Sequence, residues 1–254
     1  MPIAIFTSSG ACGCFARAGF KHATVGSGYA DGCILITLNQ TMKLYNYFRS
    51  SASYRVRIAL ALKGLSYDYV SVHLAKGDHR MPAFSQLVAD PLVPVLELEE
   101  GDRLTQSLAI MEYLDELQPT PALLPADALG RARVRALTLA VACEIHPLNN
   151  LRVLKYLVKE MGVSESHKDQ WYAHWVRHGL EAFDQQLGHS PEGAFCHGDQ
   201  PGMADCVLIP QIFNAQRFNV PLDGLSRVQR VYDACMALDA FKLTQPSACP
   251  DAEG

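Results

Sequence analysis

Long apolar runs are missing from this sequence. The chain has 254 residues and is 49% hydrophobic, yet stretches such as Ile58–Leu62 are short and sit beside charges. A membrane-spanning helix needs roughly 20 apolar residues in succession. Excess positive charge is also missing. Charged residues make up 19% of the chain and the formal net charge is −4, which leaves no electrostatic footprint for nucleic acid. No CxxC pair occurs among the eight cysteines. Cys12 and Cys14 are two apart and lack a second pair at zinc-ligand spacing. Cys143, Cys206 and Cys235 fall in helical-looking apolar segments, where a free thiol packs as a small hydrophobe. These absences predict a soluble, cytoplasmic chain with free thiols, without a metal, a membrane or a nucleic acid as partner. What is present suffices for one or two packed domains.

Residues 1–41 carry little charge, are rich in Gly, Ala, Ser and Cys, and hold no amphipathic period. They also lack the positive start and long apolar core of a signal peptide. Patterning begins at Met42. Two readings follow, an extension foreign to the fold or a genuine flexible tail, and both predict loose packing or disorder. From Lys43 the alternation of Leu44 with polar neighbours predicts a strand. Ser50–Lys63 reads as a helix with an apolar face of Val56, Ala59, Leu60 and Leu62, stopped by Gly64. Tyr69–Leu74 and Val93–Leu98 read as further strands. A hairpin turn at Glu100-Gly101-Asp102 leads to a short fourth strand, then a helix over about Ser107–Leu117. This βαβ…ββα order defines a thioredoxin-like α/β layout over residues 42–122.

The proline-rich segment Pro119–Pro125 marks a domain boundary, and residues 123–254 are helical in period. One stripe comprises Val134, Leu137, Val141, Ile145 and Leu148, with Pro147 expected to kink or break it. Trp171, Trp175, Leu180, Phe183 and Leu187 make a second stripe. Val228, Val231, Tyr232, Cys235 and Leu238 make a third. The tail Gln245–Gly254 reads as loose.

Three places carry chemistry. At Phe48–Arg57 a cluster of hydroxyls, Ser50, Ser51 and Ser53, lies where a strand hands over to a helix. Unpaired amides and the helix dipole favour an anion there, including a thiolate. Plain capping by a serine is the competing explanation, although three serines and flanking arginines exceed what a cap needs. Val93-Pro94 stands before the third strand. It reads either as a tight turn or as a cis proline that lets Val93 present its backbone to a peptide. Gln106-Ser107 opens a helix and suits either a cap or a bound carboxylate.

Together these segments resemble the zeta class of glutathione transferases, the maleylacetoacetate and maleylpyruvate isomerase family. SSASYRVRIAL at 50–60 is similar to the class signature SSCSxRVRIAL. Leu92-Val93-Pro94 resembles its QVP or LVP loop, and residues 106–114 its QSxAIxEYL helix. His146-Pro147-Leu148-Asn149-Asn150, Met203-Ala204-Asp205, Pro210-Gln211 and Ala215-Gln216-Arg217-Phe218 match further family segments. The likeness runs from Met42 to about Pro250.

The resemblance implies a glutathione transferase fold, an all-α second domain after the thioredoxin-like one, and a homodimer. It implies glutathione as cofactor and reversible thiolate addition to a cis C=C of a small diacid. It assigns Ser50 and Ser51 to the glutathione sulfur, Val93 to its cysteinyl backbone, and Gln106 and Ser107 to its γ-glutamyl carboxylate. His79 matches a glutathione-contacting histidine of related enzymes, and equally reads as a surface histidine. Arg49 and Arg217, with Asn149, would hold the substrate, a guanidinium fork being well shaped for carboxylates. Arg217 sits in an apolar stretch, which argues against a solvated surface charge. Three departures stand out: Ala52 replaces the usual cysteine, Asp90-Pro91 replaces a polar pair, and Gly202 replaces Ser or Thr before Met-Ala-Asp. Leu151 stands where maleylpyruvate isomerases carry the first of two arginines, as it does in maleylacetoacetate isomerases.

Overall fold

A computed structural model describes residues 42–189 and 193–253. The expectation for residues 1–41, Cys12, Cys14 and Cys33 included, lies outside the described residues. No helix among the described residues is long and apolar enough to cross a membrane.

Strand β1 (Lys43–Asn46) buries Leu44 and Asn46 and exposes Lys43. Helix α1 (Ser51–Lys63) follows and ends at Gly64 with φ 65°, a left-handed stop that glycine adopts without steric penalty. The helix crosses the sheet to β2 (Asp68–Ser71), which pairs parallel to β1, as a helical crossover permits. β3 (Val95–Glu97) and β4 (Arg103–Thr105) complete a four-stranded sheet of order β2-β1-β3-β4. β1 and β3 are antiparallel with Leu44 opposite Leu96, and Leu96 lies opposite Leu104 of β4. Helix α3 (Ser107–Leu117) has the expected bounds.

Two strands are shorter than the pattern suggests. β2 stops at Ser71 because the His73 N–H donates to the Asp78 carboxylate (2.9 Å) instead of to a strand. β3 starts after Pro94, which has no N–H for the ladder and follows a cis bond from Val93. Between them lie a 3₁₀ turn, Asp78–Arg80, and the short helix α2 (Pro82–Ser85), neither of which the pattern announced.

The remaining elements are helical: α4 (Ala128–Leu139), α5 (Leu151–Lys159), α6 (Glu165–Leu187), α7 (Met203–Arg217), α8 (Ser226–Met236) and α9 (Asp239–Lys242). α4 runs into a π-helical stretch, Ala140–Ile145, that ends just before Pro147 as expected. Cys143 corrects the sequence reading, for it is exposed. Val141 and Ile145 take the inward face, and a residue midway between them points away. The α6 stripe also differs. Tyr172, Val176, Leu180, Phe183 and Leu187 are buried, whereas Trp171 and Trp175 are half-buried. Trp171 keeps its ring N–H near the surface of the core to donate to the Leu148 carbonyl (2.9 Å), the usual demand of an indole.

Helix α7 is the central element and packs on α1, α4 and α8. Gly202 precedes it in an extended conformation, and the first turn is held by buried Asp205, which accepts from the Gly202 and Cys196 N–H groups at 2.8 and 2.9 Å. Asp205 thus takes over a capping function that Gly202 cannot supply. The segment between α3 and α4 is tied to α1 by Lys63. Its buried ammonium lies 2.6 Å from Asp115 and also donates to the Gln118 and Pro121 carbonyls.

The C-terminal segment is not loose over its described residues. Pro246 and Cys249 are buried. Asp251 accepts from the Tyr69 and Ser71 hydroxyls on β2, and Glu253 pairs with Lys76 at 2.6 Å. An edge strand offers such partners to any nearby chain, which composition does not reveal.

Candidate active site

The strand directions bring the three sequence motifs to one end of the sheet. β1 runs toward Ser50. β3 is antiparallel to it and so begins, just after Val93-Pro94, at that same end. β4 is antiparallel to β3 and delivers Gln106 and Ser107 there. β2 is parallel to β1 and sends the loop with His79 to that end too. The N-termini of α1 and α3 therefore open side by side, each with unpaired amides.

Ser50 caps α1: its Oγ accepts from the Ser53 N–H at 3.2 Å. Capping is thus an actual role of this hydroxyl, and it leaves the hydroxyl proton for another acceptor. Ser51 is buried, and its Oγ lies 3.1 Å from Nδ1 of His146, at the end of the π-helical stretch. The amide nitrogen of Asn150 lies 3.5 Å from the other ring nitrogen. Burial, with Arg55 and Arg152 adding to it, lowers the His146 pKa to about 3. The ring is neutral at physiological pH and acts as a hydrogen-bonding group.

Gln106 has φ 66° and ψ 111°, a sparsely populated conformation for a side chain with a Cβ. Such strain, of order 1–3 kcal/mol, tends to persist where function uses the geometry. Ser107 is buried, and its Oγ accepts from Arg55 at 3.2 Å. Val93 is buried beside Phe48, Val95 and Phe84 in a small apolar cluster. His79 is half-buried with an unpartnered Nδ1. Burial lowers its pKa, and the charges of Arg80 and Lys155 act in the same direction.

Arg49 lies over the Phe48 ring (4.9 Å) and Arg217 over the Phe218 ring (4.8 Å). Both charges act on the Tyr47 phenol, whose pKa burial raises while Arg49 and Arg217 oppose the shift. Arg217 corrects one expectation, because it is exposed despite its apolar neighbours. It ends α7, where the side chain leaves the packed face. Asn149 is engaged elsewhere: its amide donates to the Tyr172 carbonyl at 3.4 Å and its Oδ1 has no partner. The neighbour Asn150 is the residue that reaches His146.

His146, Asn150 and Arg55 are the members that sequence reasoning passed over. His146 and Asn150 lay in a quoted family segment, and a histidine directly before a helix-breaking proline was the available signal. Arg55 was visible only as one of the arginines flanking the serine cluster, and nothing in the pattern set it apart from Arg49 and Arg57.

A thioredoxin-like sheet with two helix N-termini at one end, that of α1 capped by Ser50, followed by an all-α part, defines a protein built to hold a thiol peptide. Two family models match, the glutathione S-transferase N-terminal domain over residues 40–116 and the C-terminal domain over 167–234. The chain belongs to the glutathione S-transferase family, in its zeta class. It is 48% identical over 212 residues to the maleylacetoacetate isomerase of Pseudomonas aeruginosa, covering 83% of this chain and 98% of that one. It is also 48% identical to a Ralstonia maleylpyruvate isomerase, covering 83% and 100%. Among solved structures, a holo maleylpyruvate isomerase described as a zeta-class bacterial glutathione S-transferase superposes with TM-score 0.81, 47% identity, and coverage of 83% and 100%. The Anaeromyxobacter dehalogenans maleylacetoacetate isomerase, solved with glutathione in its active site, gives 0.76 at 40% identity, covering 84% and 99%.

Proposed function

We propose that this chain is a glutathione-dependent cis–trans isomerase of a maleyl-type diacid, with maleylacetoacetate as substrate and fumarylacetoacetate as product. The observation that carries this reading is the convergence of Ser50, Ser51, Val93, Gln106 and Ser107 at one end of the sheet. The residues fit the cofactor. Two helix N-termini offer amides to its charged groups, and buried polar atoms of His79 and Asn149 lack partners.

Bound glutathione supplies a thiolate that adds reversibly to the conjugated C=C, so that the bond can rotate before elimination. Ser50 keeps its cap by accepting from Ser53 and donates its own proton to the sulfur. Ser51, with the amides of α1, supports the same charge. Val93 pairs with the cysteinyl backbone, Gln106 and Ser107 hold the γ-glutamyl carboxylate, and His79 contacts the tripeptide. Arg49 and Arg217 would clamp the substrate carboxylates and favour negative charge developing nearby. Asn149 stays at the substrate side of the site as the family resemblance implies, where its amide N–H groups, one of which now meets the Tyr172 carbonyl, are the donors for an acceptor-rich diacid.

We place the domain boundary at residues 122/123, in the segment that Lys63 ties to α1, and expect a cytoplasmic homodimer. Glutathione-dependent turnover of maleylacetone tests the reading. Binding without turnover would make the chain a glutathione-fold binding protein instead. Maleylpyruvate is the second substrate reading, favoured by the 48% identity to the Ralstonia enzyme.

A further inference from the structure

Two arginines of α1 are buried two residues apart and are treated very differently by the fold. Arg57 is 1% exposed and donates to four acceptors: the Asn46 side chain and the carbonyls of Tyr47, Phe48 and Thr244. It staples the β1–α1 connection. Arg55 is 3% exposed and has a single neutral partner, the Ser107 hydroxyl. Its Nε has no partner at all, and among the described residues no carboxylate forms an ion pair with it. A buried charge left uncompensated is strongly unfavourable. Burial lowers the Arg55 pKa only to about 10, so the guanidinium keeps its charge at neutral pH. A lysine in the same place would lose its proton more readily.

The single hydrogen bond has a direction. Arg55 donates to Ser107 Oγ, so the serine's own proton is left to donate onward. Ser107 opens α3 beside the strained Gln106, with the helix dipole behind it. An anion bound there would complete the charge balance that the folded chain lacks.

We propose that Arg55 is a positioning residue for the carboxylate end of glutathione: through Ser107 it turns the α3 N-terminus into a carboxylate site, and the bound carboxylate is the counter-charge that the buried guanidinium otherwise lacks. This rests on the glutathione reading above. It goes beyond that reading by assigning discrimination between a γ-glutamyl peptide and its carboxylate-free analogue to a residue that does not touch the reacting atoms.

The test is titration calorimetry with glutathione and with 4-aminobutyryl-cysteinylglycine, which differs only in lacking the γ-glutamyl carboxylate. Native protein binds glutathione about tenfold or more tighter than the analogue, and Arg55→Met abolishes that difference by weakening glutathione alone. In a Ser107→Ala background, Arg55→Met has little further effect. Should Arg55→Met fail to fold by circular dichroism, Arg55→Lys takes its place and shows the same selective weakening, because it loses the fork and, buried, gives up its proton more readily. Equal weakening of both ligands would make Arg55 a purely structural group and overturn the proposal, as would native protein that binds both alike. Native protein that binds neither refutes the glutathione reading itself, and the proposal falls with it.

Discussion

Ser51 Oγ lies 3.1 Å from Nδ1 of His146, so the first turn of α1 is joined to the end of the π-helical stretch before Pro147. With the Asn150 amide nitrogen facing Nε2, the ring proton of neutral His146 sits on Nδ1. That nitrogen then donates to Ser51, and the serine's hydroxyl proton points onward to an anion. The helical part of the chain thereby sets which way a hydroxyl of the sheet layer donates.

This arrangement has a pH signature. The His146 pKa falls from 6.5 to about 3 on folding, through burial first and the charges of Arg55 and Arg152 next. Below pH 6.5 the unfolded chain takes up a proton that the folded chain refuses. Stability is therefore lost as pH drops from about 6.5 toward 3, at a rate approaching 1.4 kcal/mol per unit. Between pH 7 and 5 this group alone removes about 2 kcal/mol. Urea unfolding at the two pH values should show that difference in the native protein and a smaller one in His146→Gln. Equal pH slopes in both proteins would refute it.

Ser50 holds two jobs that substitution can separate. As the α1 cap it accepts from Ser53, and Ser50→Ala should lower stability by about 1 kcal/mol. Ser50→Asp keeps a cap acceptor and suits the helix dipole, so its melting temperature should match the parent's. It also sets a carboxylate against the proposed thiolate, and like charges disfavour ionisation. Thiol titration of bound glutathione should move upward in both variants, more in Ser50→Asp. A stable Ser50→Asp enzyme with parental turnover would remove Ser50 from the sulfur site.

The sequence made the sheet layer readable because each of its elements has a local cause: Gly64 stops α1, Gly101 turns the hairpin, and Ser107 opens α3. The long-range items were not readable. Alternation cannot say that the Tyr69 and Ser71 hydroxyls hold Asp251, 182 and 180 residues away. Nor does period 3.6 choose between Trp171 and Tyr172 as the buried member of α6, since both are large and adjacent. For the candidate site, the motifs pointed to Ser50, Val93 and Gln106, which the strand directions bring to one end of the sheet. Arg55 became legible only once its burial without a carboxylate could be seen.

Lys63 should be the most sensitive residue of the connecting segment. Its ammonium is buried and bridges Asp115 to the carbonyls of Gln118 and Pro121. Removing one partner of a buried pair typically costs about 3–5 kcal/mol because the other charge is stranded. Lys63→Met should lower the melting temperature by roughly 10 °C for a chain of this size. Adding Asp115→Asn removes the stranded charge yet keeps an acceptor for the Leu123 N–H, which Asp115 holds at 2.7 Å. The double variant should therefore recover more than half of the loss. A double variant less stable than Lys63→Met would show that the pair is not coupled as described.

Substrate choice turns on Leu151. It opens α5 and is 44% exposed, one residue beyond the Asn150 that reaches His146. Maleylpyruvate carries its second carboxylate on a short α-keto acid, whereas maleylacetoacetate carries it farther from the double bond. An arginine at 151 would suit the compact diacid, and a hydrogen bond to a charged group contributes about 1.5–3 kcal/mol. Its absence should favour maleylacetoacetate by roughly tenfold or more. Arg152 is the rival source of charge. It is held only by an exposed pair with Asp90 at 3.9 Å, and such pairs are weak, so Arg152→Ala belongs in the same series. The measurement is kcat/KM for maleylpyruvate and for maleylacetoacetate in the parent, Leu151→Arg and Arg152→Ala. The parent should prefer maleylacetoacetate, Leu151→Arg should shift the ratio toward maleylpyruvate, and Arg152→Ala should leave it near the parent's value. A parent enzyme that already prefers maleylpyruvate would overturn the assignment to Leu151, and loss of that preference in Arg152→Ala would move it to the neighbouring arginine.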